Sequence, residues 1–172
     1  GDNFGCAYFQ MNQRKGVRWS ASKAFLRPIQ HRPNLTVMTN THVQKLALEA
    51  NEHGPRATGV WITKGGDAPS LVTATREVIL AAGAVASPQI LQLSGIGEAG
   101  LMQQLGAAPV IDIPGVGHNL QDHLQIRTIY KVSNTTTLNP RVNSLVGKAM
   151  MGLEYLLFKT GPLTMPPSQL GA

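Results

Sequence analysis

The chain has 172 residues, of which 42% are apolar and only 14% are charged. Typical soluble domains carry about 25% charged residues, so this composition excludes a disordered chain and favours one packed domain. No apolar run approaches the roughly 20 residues that a membrane span needs. Cys6 is the single cysteine, which excludes an intrachain disulfide framework and a multi-cysteine zinc site. We expect Cys6 to be a small buried residue.

The net charge of +6 comes almost entirely from the start of the chain. One acidic residue, Asp2, accompanies six basic ones there: Arg14, Lys15, Arg18, Lys23, Arg27 and Arg32. Apolar residues separate these cations, and no row of aromatic residues accompanies them, so we expect a solvated surface and no nucleic-acid partner. The sequence begins at Gly1 and not at a methionine, so we expect it to be part of a longer protein.

The first half of the chain is predicted to contain mainly strands. A β-like stretch at 6–11 precedes a helical turn at 20–27, which Pro28 and Pro33 end. Apolar and β-branched residues between turn clusters then predict strands at 35–39, 42–50, 57–64 and 71–75.

The second half is predicted to alternate strands and helices. Residues 78–83 are apolar on both faces, which is typical of a fully buried parallel strand. Ser87 followed by Pro88 predicts a helix start with Ser87 as N-cap. The remaining expectations are a short helix at 98–105, a strand at 110–113, a tight turn at 114–117, a strand at 124–132 and a long helix at 141–158. The apolar stripe of that last helix is interpreted as a core face, and Gly161-Pro162 ends the helix.

The segment Gly95–Gly100 matches the G-x-G-x-x-G pattern of nicotinamide-binding loops. Such a loop must follow a strand and open a helix that is long enough to cross over to a parallel strand. Here the preceding segment opens like a helix and the following helix is short. Asp112 also comes too early for the acid that binds the ribose, which lies about 20 residues past the loop. A self-contained NAD(P)-binding Rossmann domain on this loop is therefore kept as a minor alternative.

Several longer motifs resemble one family. Residues 83–97, GAVASPQILQLSGIG, are similar to the second signature of the glucose–methanol–choline (GMC) flavin oxidoreductases. Other segments agree with that family in order: GVRWSAS at 16–22, RPNLTV at 32–37, PGVGHNLQDH at 114–123 and GLEYLL at 152–157 with GPL at 161–163. The last of these resembles the branch of choline and alkyl alcohol dehydrogenases. The resemblance covers nearly the whole chain but only the middle of the family's longer chain.

The resemblance implies a mixed α/β chain that is the central piece of a two-domain FAD-binding fold, incomplete on its own. It implies a connecting segment at 1–34, part of the FAD-binding domain at 35–122 and the start of the substrate-binding domain at 123–172. It also implies hydride transfer from a small alcohol to FAD, with a quinone or oxygen as the electron acceptor. The remainder of the GMC chain is then a required partner.

Site residues follow from the same resemblance. Val43 matches the position whose backbone pairs with adenine, and Ala82 and Gly83 match small positions near the nucleotide. Ser87 is carried over as a cofactor-site position, although a helix cap suits it better. Asn119, Asp122 and His123 match a motif near the domain junction, where we expect hydrogen bonds at a helix end. His118 with Asp122 and His123 does not complete a metal-ligand set, so we expect no metal.

The family's N-terminal phosphate loop and its C-terminal catalytic histidine have no counterpart here, so we expect no catalytic residue in these 172 residues. The chain alone is then expected to bind FAD weakly or not at all and to oxidise no alcohol. A non-catalytic remnant or binding module made from the same segment is the second alternative. For localisation, the cytoplasm and peripheral attachment to a membrane both stay open.

Overall fold

The computed structural model describes residues 5–126 and 128–166, and the backbone of 170–171. Asp2 and parts of the segment 123–172 therefore lie outside the described residues. The strands are β1 (Ala7–Tyr8), β2 (Gln13–Arg14), β3 (Val17–Arg18), β4 (Thr41–Asn51), β5 (Gly54–Lys64), β6 (Ser70–Thr73), β7 (Ile96–Gly97), β8 (Ile111–Asp112) and β9 (Leu170–Gly171). The helices are α1 (Gly83–Leu93), α2 (Ala99–Gln104), α3 (Asn139–Asn143) and α4 (Leu145–Phe158). The predicted mixed α/β class is confirmed.

The chain forms two units. One comprises residues 38–127, and the other comprises 1–37 together with 128–172. The predicted domain boundaries stay a prediction, because these units do not show which domain of a longer protein each segment serves.

In the 38–127 unit, β4, β5 and β6 form an antiparallel sheet in that order. Asn51 pairs with Gly54 across the tight turn between β4 and β5, and the register shifts once between Val43 and Lys45 and again between Ala47 and Leu48. Leu46, Ile90 and Ile96 form the buried core between this sheet and α1. The strands predicted at 42–50, 57–64 and 71–75 are thus confirmed, each within a few residues.

Three predicted strands are absent from the described residues. Residues 35–39, 78–83 and 124–132 (Arg127 excepted) have no ladder partner. The apolar run at 78–83 shows the reason. Val78 and Leu80 pack against the core, but Ile79 is 80% exposed on the opposite side. A parallel strand needs neighbours for its backbone groups and for both faces, and this chain supplies cover for one face alone.

Helix α1 begins earlier than its Ser-Pro pair predicts. Its first residue is Gly83 and Ala82 is its N-cap, so Ser87 and Pro88 lie inside the helix. The prediction that Ser87 is the N-cap is therefore wrong. Its hydroxyl still accepts a hydrogen bond near the helix start, from the Ala82 N–H at 3.1 Å.

In the other unit, β2 and β3 form a short hairpin, and a single π-helical turn at Ser22–Leu26 occupies the predicted helical stretch. The predicted long helix is interrupted at Ser144, which separates α3 from α4 and caps α4 by accepting from the Gly147 N–H. Met151 is buried, but Leu145 is 85% exposed and most of the predicted apolar stripe is also exposed. The core role of that stripe is not seen in this chain, because nothing in the described part covers it.

Cys6 is exposed, so the expectation of a buried cysteine is wrong.

Candidate functional site

A groove of about 480 Å³ lies in the 38–127 unit, between the first turns of α1 and the loop that follows β8. On the α1 side its wall consists of Ala84, Val85, Pro88, Gln89 and Gln92. The other wall is the stretch from Gly117 to Gln121, which includes Asn119. The groove thus joins two of the motifs that carry the family resemblance, although they are about 30 residues apart in the sequence.

The start of α1 offers both hydrogen-bond donors and space. A helix begins with backbone N–H groups that have no partner within the helix, and these groups favour negative charge. No acidic residue lies in the first turn of α1 to satisfy them. Gly83 has φ +90°, and a Cβ built on it meets no atom within 4 Å. The backbone is therefore accessible to a ligand at this point.

Pro88 adds an acceptor to the same wall. Proline has no N–H, so the Ala84 carbonyl, one turn earlier, receives no hydrogen bond from that position. Ala84 and Pro88 both line the groove. This wall therefore presents small side chains with backbone donors and acceptors, which suits close binding of a polar ligand.

The loop wall is tied to α1 by the side chain of Gln92. Its Nε2 donates to the Val116 carbonyl at 3.2 Å. A Cβ on Gly117 would lie 2.7 Å from the same nitrogen, and Gly117 has φ +84°. Asn119 follows with φ +58°, a conformation that asparagine tolerates better than most residues. The loop thus reverses sharply against α1 and turns Asn119 into the groove wall.

A second contact holds the same loop from the side of α2. His118 Nε2 lies 3.1 Å from Glu98 Oε2, and about half of each side chain is exposed. Glu98 is the N-cap residue of α2. The loop is therefore held at two consecutive stretches, at Val116–Gly117 by Gln92 and at His118 by Glu98.

The predicted adenine position, Val43, lies on β4, which is an edge strand of its sheet. Val43 is half-buried and packs against the core. At the outer edge of β4, the Leu46 N–H donates to Ser94 Oγ at 2.8 Å, and Ser94 Oγ donates to the Ile90 carbonyl at 2.6 Å. An edge strand offers backbone groups without any special side chain, so the position of Val43 is compatible with its expected contact.

The G-x-G-x-x-G segment does form a small β–α–β unit, because β7 and β8 pair in parallel around α2. Its first two glycines, however, serve internal packing, while Gly100 has open space around it. A Cβ on Gly95 would lie 2.6 Å from Val110 Cγ2, and one on Gly97 would lie 3.2 Å from Gln92 Cγ. At the start of α2, the Ala99 N–H donates to Asp112 Oδ1 at 3.0 Å. The chain's own carboxylate thus occupies the place where a dinucleotide would put its pyrophosphate, which argues against the nicotinamide alternative.

The other predicted site residues lie outside the groove walls. Asp122 and His123 follow the loop in an irregular stretch, and Asp122 Oδ1 accepts from the adjacent His123 N–H at 2.8 Å. The expected role at a helix end is therefore wrong for this pair, because no helix begins there.

Within the part of the chain that the structure describes, no group of three metal-ligating side chains comes together. No helix in that part is long and apolar enough to cross a membrane.

Comparison with known proteins decides the family. The family model described as GMC oxidoreductase matches residues 1–125. This chain belongs to the GMC oxidoreductase family. Among its relatives, the oxygen-dependent choline dehydrogenase of Brucella ovis is 44% identical over 146 residues, which are 85% of this chain and 25% of that protein. The alcohol dehydrogenase [acceptor] of Pseudomonas putida is 38% identical over 169 residues, which are 97% of this chain and 30% of that protein.

Solved structures agree with this GMC assignment. An FAD-dependent oxidoreductase from Chaetomium thermophilum matches with a TM-score of 0.83 and 29% identity, over 96% of this chain and 29% of its own. A fungal aryl-alcohol oxidase matches with a TM-score of 0.84 and 26% identity, over 99% of this chain and 29% of its own. The chain therefore spans about a quarter to a third of the GMC proteins it matches.

Two parts of the groove were not anticipated from the sequence. Gln92 lies within the recognised signature, but nothing in its spacing indicated that its side chain reaches Val116. Glu98 and His118 are 20 residues apart and belong to different motifs, so only the tertiary fold brings them together. The paired glycines at 97 and 117 were the available signal, because each leaves room for the side chain of Gln92.

Proposed function

We propose that this chain forms part of the FAD site of an oxidoreductase that acts on the CH–OH group of an alcohol, of the choline or alkyl alcohol class. The observation that carries the proposal is the groove between α1 and the 117–121 loop, in a chain of the GMC family. The names of the relatives in Brucella ovis and Pseudomonas putida support the alcohol class. The electron acceptor, a quinone or oxygen, is not assigned.

The residues present fit a flavin nucleotide. The start of α1 offers unpaired backbone N–H groups of the kind that bind phosphate oxygens, and Gly83 leaves open space beside them. The side-chain amides of Gln89, Asn119 and Gln121 line the groove and can bind hydroxyl or carbonyl groups. We propose that Ala82, Gly83, Ser87 and Asn119 hold the cofactor here, with the Val43 backbone at the edge of β4. Asp122 and His123 are kept as weaker candidates, because they lie in an irregular stretch beyond the loop wall. Ala82, Gly83 and Ser87 are outside the lining too, but they flank the groove-lining Ala84 and Pro88 at the start of α1.

When bound, FAD supplies the hydride acceptor of the reaction. The proposed role of this chain's own residues is binding and orientation. None of the five histidines lies within the α1 wall of the groove, and His118, on the loop wall, is engaged by Glu98. We therefore assign no general base to these residues and place it in the rest of the GMC chain.

The experiment is a pair of alanine-to-leucine variants in the full-length protein. Ala84→Leu adds bulk inside the groove, and Ala50→Leu adds the same atoms to an exposed position of β4. We expect Ala84→Leu to weaken FAD binding by about fivefold to a hundredfold, because overfilling a site costs about 1–3 kcal/mol. Ala50→Leu should bind like the wild type. Equal FAD affinity in both variants would place the cofactor elsewhere.

A non-catalytic remnant remains the alternative, and the coding sequence on either side discriminates. An in-frame phosphate loop upstream and a histidine-containing segment downstream are expected for the enzyme, whereas genuine start and stop codons at the two ends would favour the remnant.

For localisation we keep two proposals, the cytoplasm and a peripheral position on a membrane. Washing membranes at high salt and alkaline pH separates them, since a peripheral protein is released by the wash and a cytoplasmic one is never in the pellet.

A further inference from the structure

The loop wall of the groove lacks regular secondary structure, yet two side-chain contacts hold it in place. Between Pro114 and Gln121, its own backbone bonds are those of tight turns, from the Val116 N–H to the Ile113 carbonyl and from the His118 N–H to the Gly115 carbonyl. The second of these is long, at 3.3 Å. Local turns of this kind do not fix the position of the loop against its neighbours, so that position depends on the contacts that cross from the loop to α1 and to the start of α2.

The first crossing contact is made by Gln92, near the end of α1. Its amide nitrogen donates to the Val116 carbonyl, and its side chain lies between two glycines. Gly97 and Gly117 each approach the Gln92 side chain too closely to tolerate a Cβ without a shift. The motifs at 83–97 and 114–123 therefore meet at this one side chain. This contact fixes the position of the loop relative to α1 and also adds to the stability of the unit.

The second crossing contact is the pair of Glu98 and His118. Each side chain is about half exposed, so the pair adds little to the stability of the unit. The pair matters more for the position of the loop than for stability, because His118 lies next to Asn119 in the loop wall. Breaking this contact releases His118 and leaves the buried core intact.

We propose that Gln92, Glu98 and His118 are positioning residues, which hold the 114–121 loop against α1 and so set the width of the groove and its affinity for FAD. The proposal rests on the proposed function for its ligand. The inference goes beyond that function by assigning a positioning role to three side chains, of which Gln92 and His118 line the groove and Glu98 does not. The two contacts act on the same loop, so their effects are coupled and not additive.

The test uses the full-length protein and measures two quantities, the Kd of FAD and the hydrogen exchange of the loop amides without FAD. The variants are Gln92→Leu, Glu98→Leu, the double variant and Glu98→Gln, whose amide can still hydrogen-bond to His118. Matched controls are Gln103→Leu on α2 and Glu77→Leu, which alter exposed side chains of the same types. Thermal unfolding without FAD reports any general loss of stability.

We expect Gln92→Leu to raise the Kd of FAD about three- to tenfold, as for the loss of one hydrogen bond. Glu98→Leu should raise it up to about fivefold, and Glu98→Gln should recover most of that loss. The Val116 and His118 amides should exchange faster in both leucine variants. The unfolding midpoint of Glu98→Leu should stay near that of its control, which a merely structural role would not predict.

The outcomes separate the two proposals. If the wild type binds FAD and the variants bind it as the controls do, the positioning role is wrong and the proposed function stands. If the wild type binds no FAD, the proposed function fails, and loop exchange still decides whether these residues hold the loop. Unchanged exchange at Val116 and His118 in both leucine variants would overturn the inference whatever the flavin result.

Discussion

The hydroxyl of Ser94 connects the end of α1 to the outer edge of β4, and its removal is the sharpest stability test of this fold. Ser94 is 8% exposed, and its oxygen accepts from the Leu46 N–H at 2.8 Å while donating to the Ile90 carbonyl at 2.6 Å. In Ser94→Ala the Ile90 carbonyl keeps a backbone donor, the Ser94 N–H at 3.1 Å. The Leu46 N–H loses the acceptor that the hydroxyl supplied, and Leu46 itself is buried.

The magnitude follows from that unsatisfied donor. A buried polar group left without a partner costs about 1–3 kcal/mol, so Ser94→Ala should lower the free energy of unfolding by that amount. Denaturant unfolding measures the energy, and hydrogen exchange at the Leu46 amide shows whether the loss is local. Ser133→Ala, at an exposed position, is the control and should stay within about 0.5 kcal/mol of the wild type. A Ser94→Ala loss no larger than that of the control, with unchanged protection of Leu46, would show that the hydroxyl does not satisfy the Leu46 N–H.

The remaining predictions concern the glycine motif, the α4 cap and the nicotinamide alternative. Gly95→Ala should destabilise by about 1–3 kcal/mol in denaturant unfolding, because φ is +83° and a Cβ would lie 2.6 Å from Val110 Cγ2. Gly100→Ala in the same motif should be neutral or stabilise by up to about 1 kcal/mol, because it lies in α2 with open space; the reverse order would contradict the packing described. Ser144→Ala should cost about 0.5–2 kcal/mol and reduce helical circular dichroism, since it removes the N-cap of α4; no change would show that the cap is dispensable. NADH should leave the thermal midpoint unchanged, because Asp112 already occupies the start of α2; a concentration-dependent rise would revive the nicotinamide alternative.

The sequence was most informative where a pattern is local. Alternation between turn clusters placed β4, β5 and β6 correctly, and the Gly161-Pro162 stop follows the observed end of α4. These features depend on side-chain period and turn chemistry, which a single stretch of residues contains. The family resemblance was equally local, since long motifs carried it.

The errors occurred where structure depends on distant partners. The run at 78–83 has the composition of a buried parallel strand, but pairing requires neighbours that the described residues do not provide. Ser87 followed by Pro88 is a good helix start in isolation, yet Gly83 at positive φ allowed α1 to begin one turn earlier. Residues 141–158 satisfy a helical period throughout, but Ser144 caps a second helix within that range.

The motifs that form the site could be predicted from the sequence, but the contacts between those motifs could not. The resemblance indicated Asn119, which lines one wall of the groove, and Gly83, which directly precedes Ala84 in the other wall. It gave no indication of the Gln92 contact or of the Glu98–His118 pair, because those contacts depend on how the loop folds back onto α1. Asp122 and His123 were named by the same motif, and an irregular backbone keeps them outside the groove walls.

We propose above that this GMC chain is part of a flavin enzyme that oxidises an alcohol. The most direct measurement is the visible absorption spectrum of the full-length protein, purified and then mixed without oxygen with choline and with alkyl alcohols in turn. We expect a bound flavin spectrum that is bleached by at least one of these alcohols. A protein that carries no flavin after incubation with FAD, or a bound flavin that none of the alcohols reduces, would contradict it.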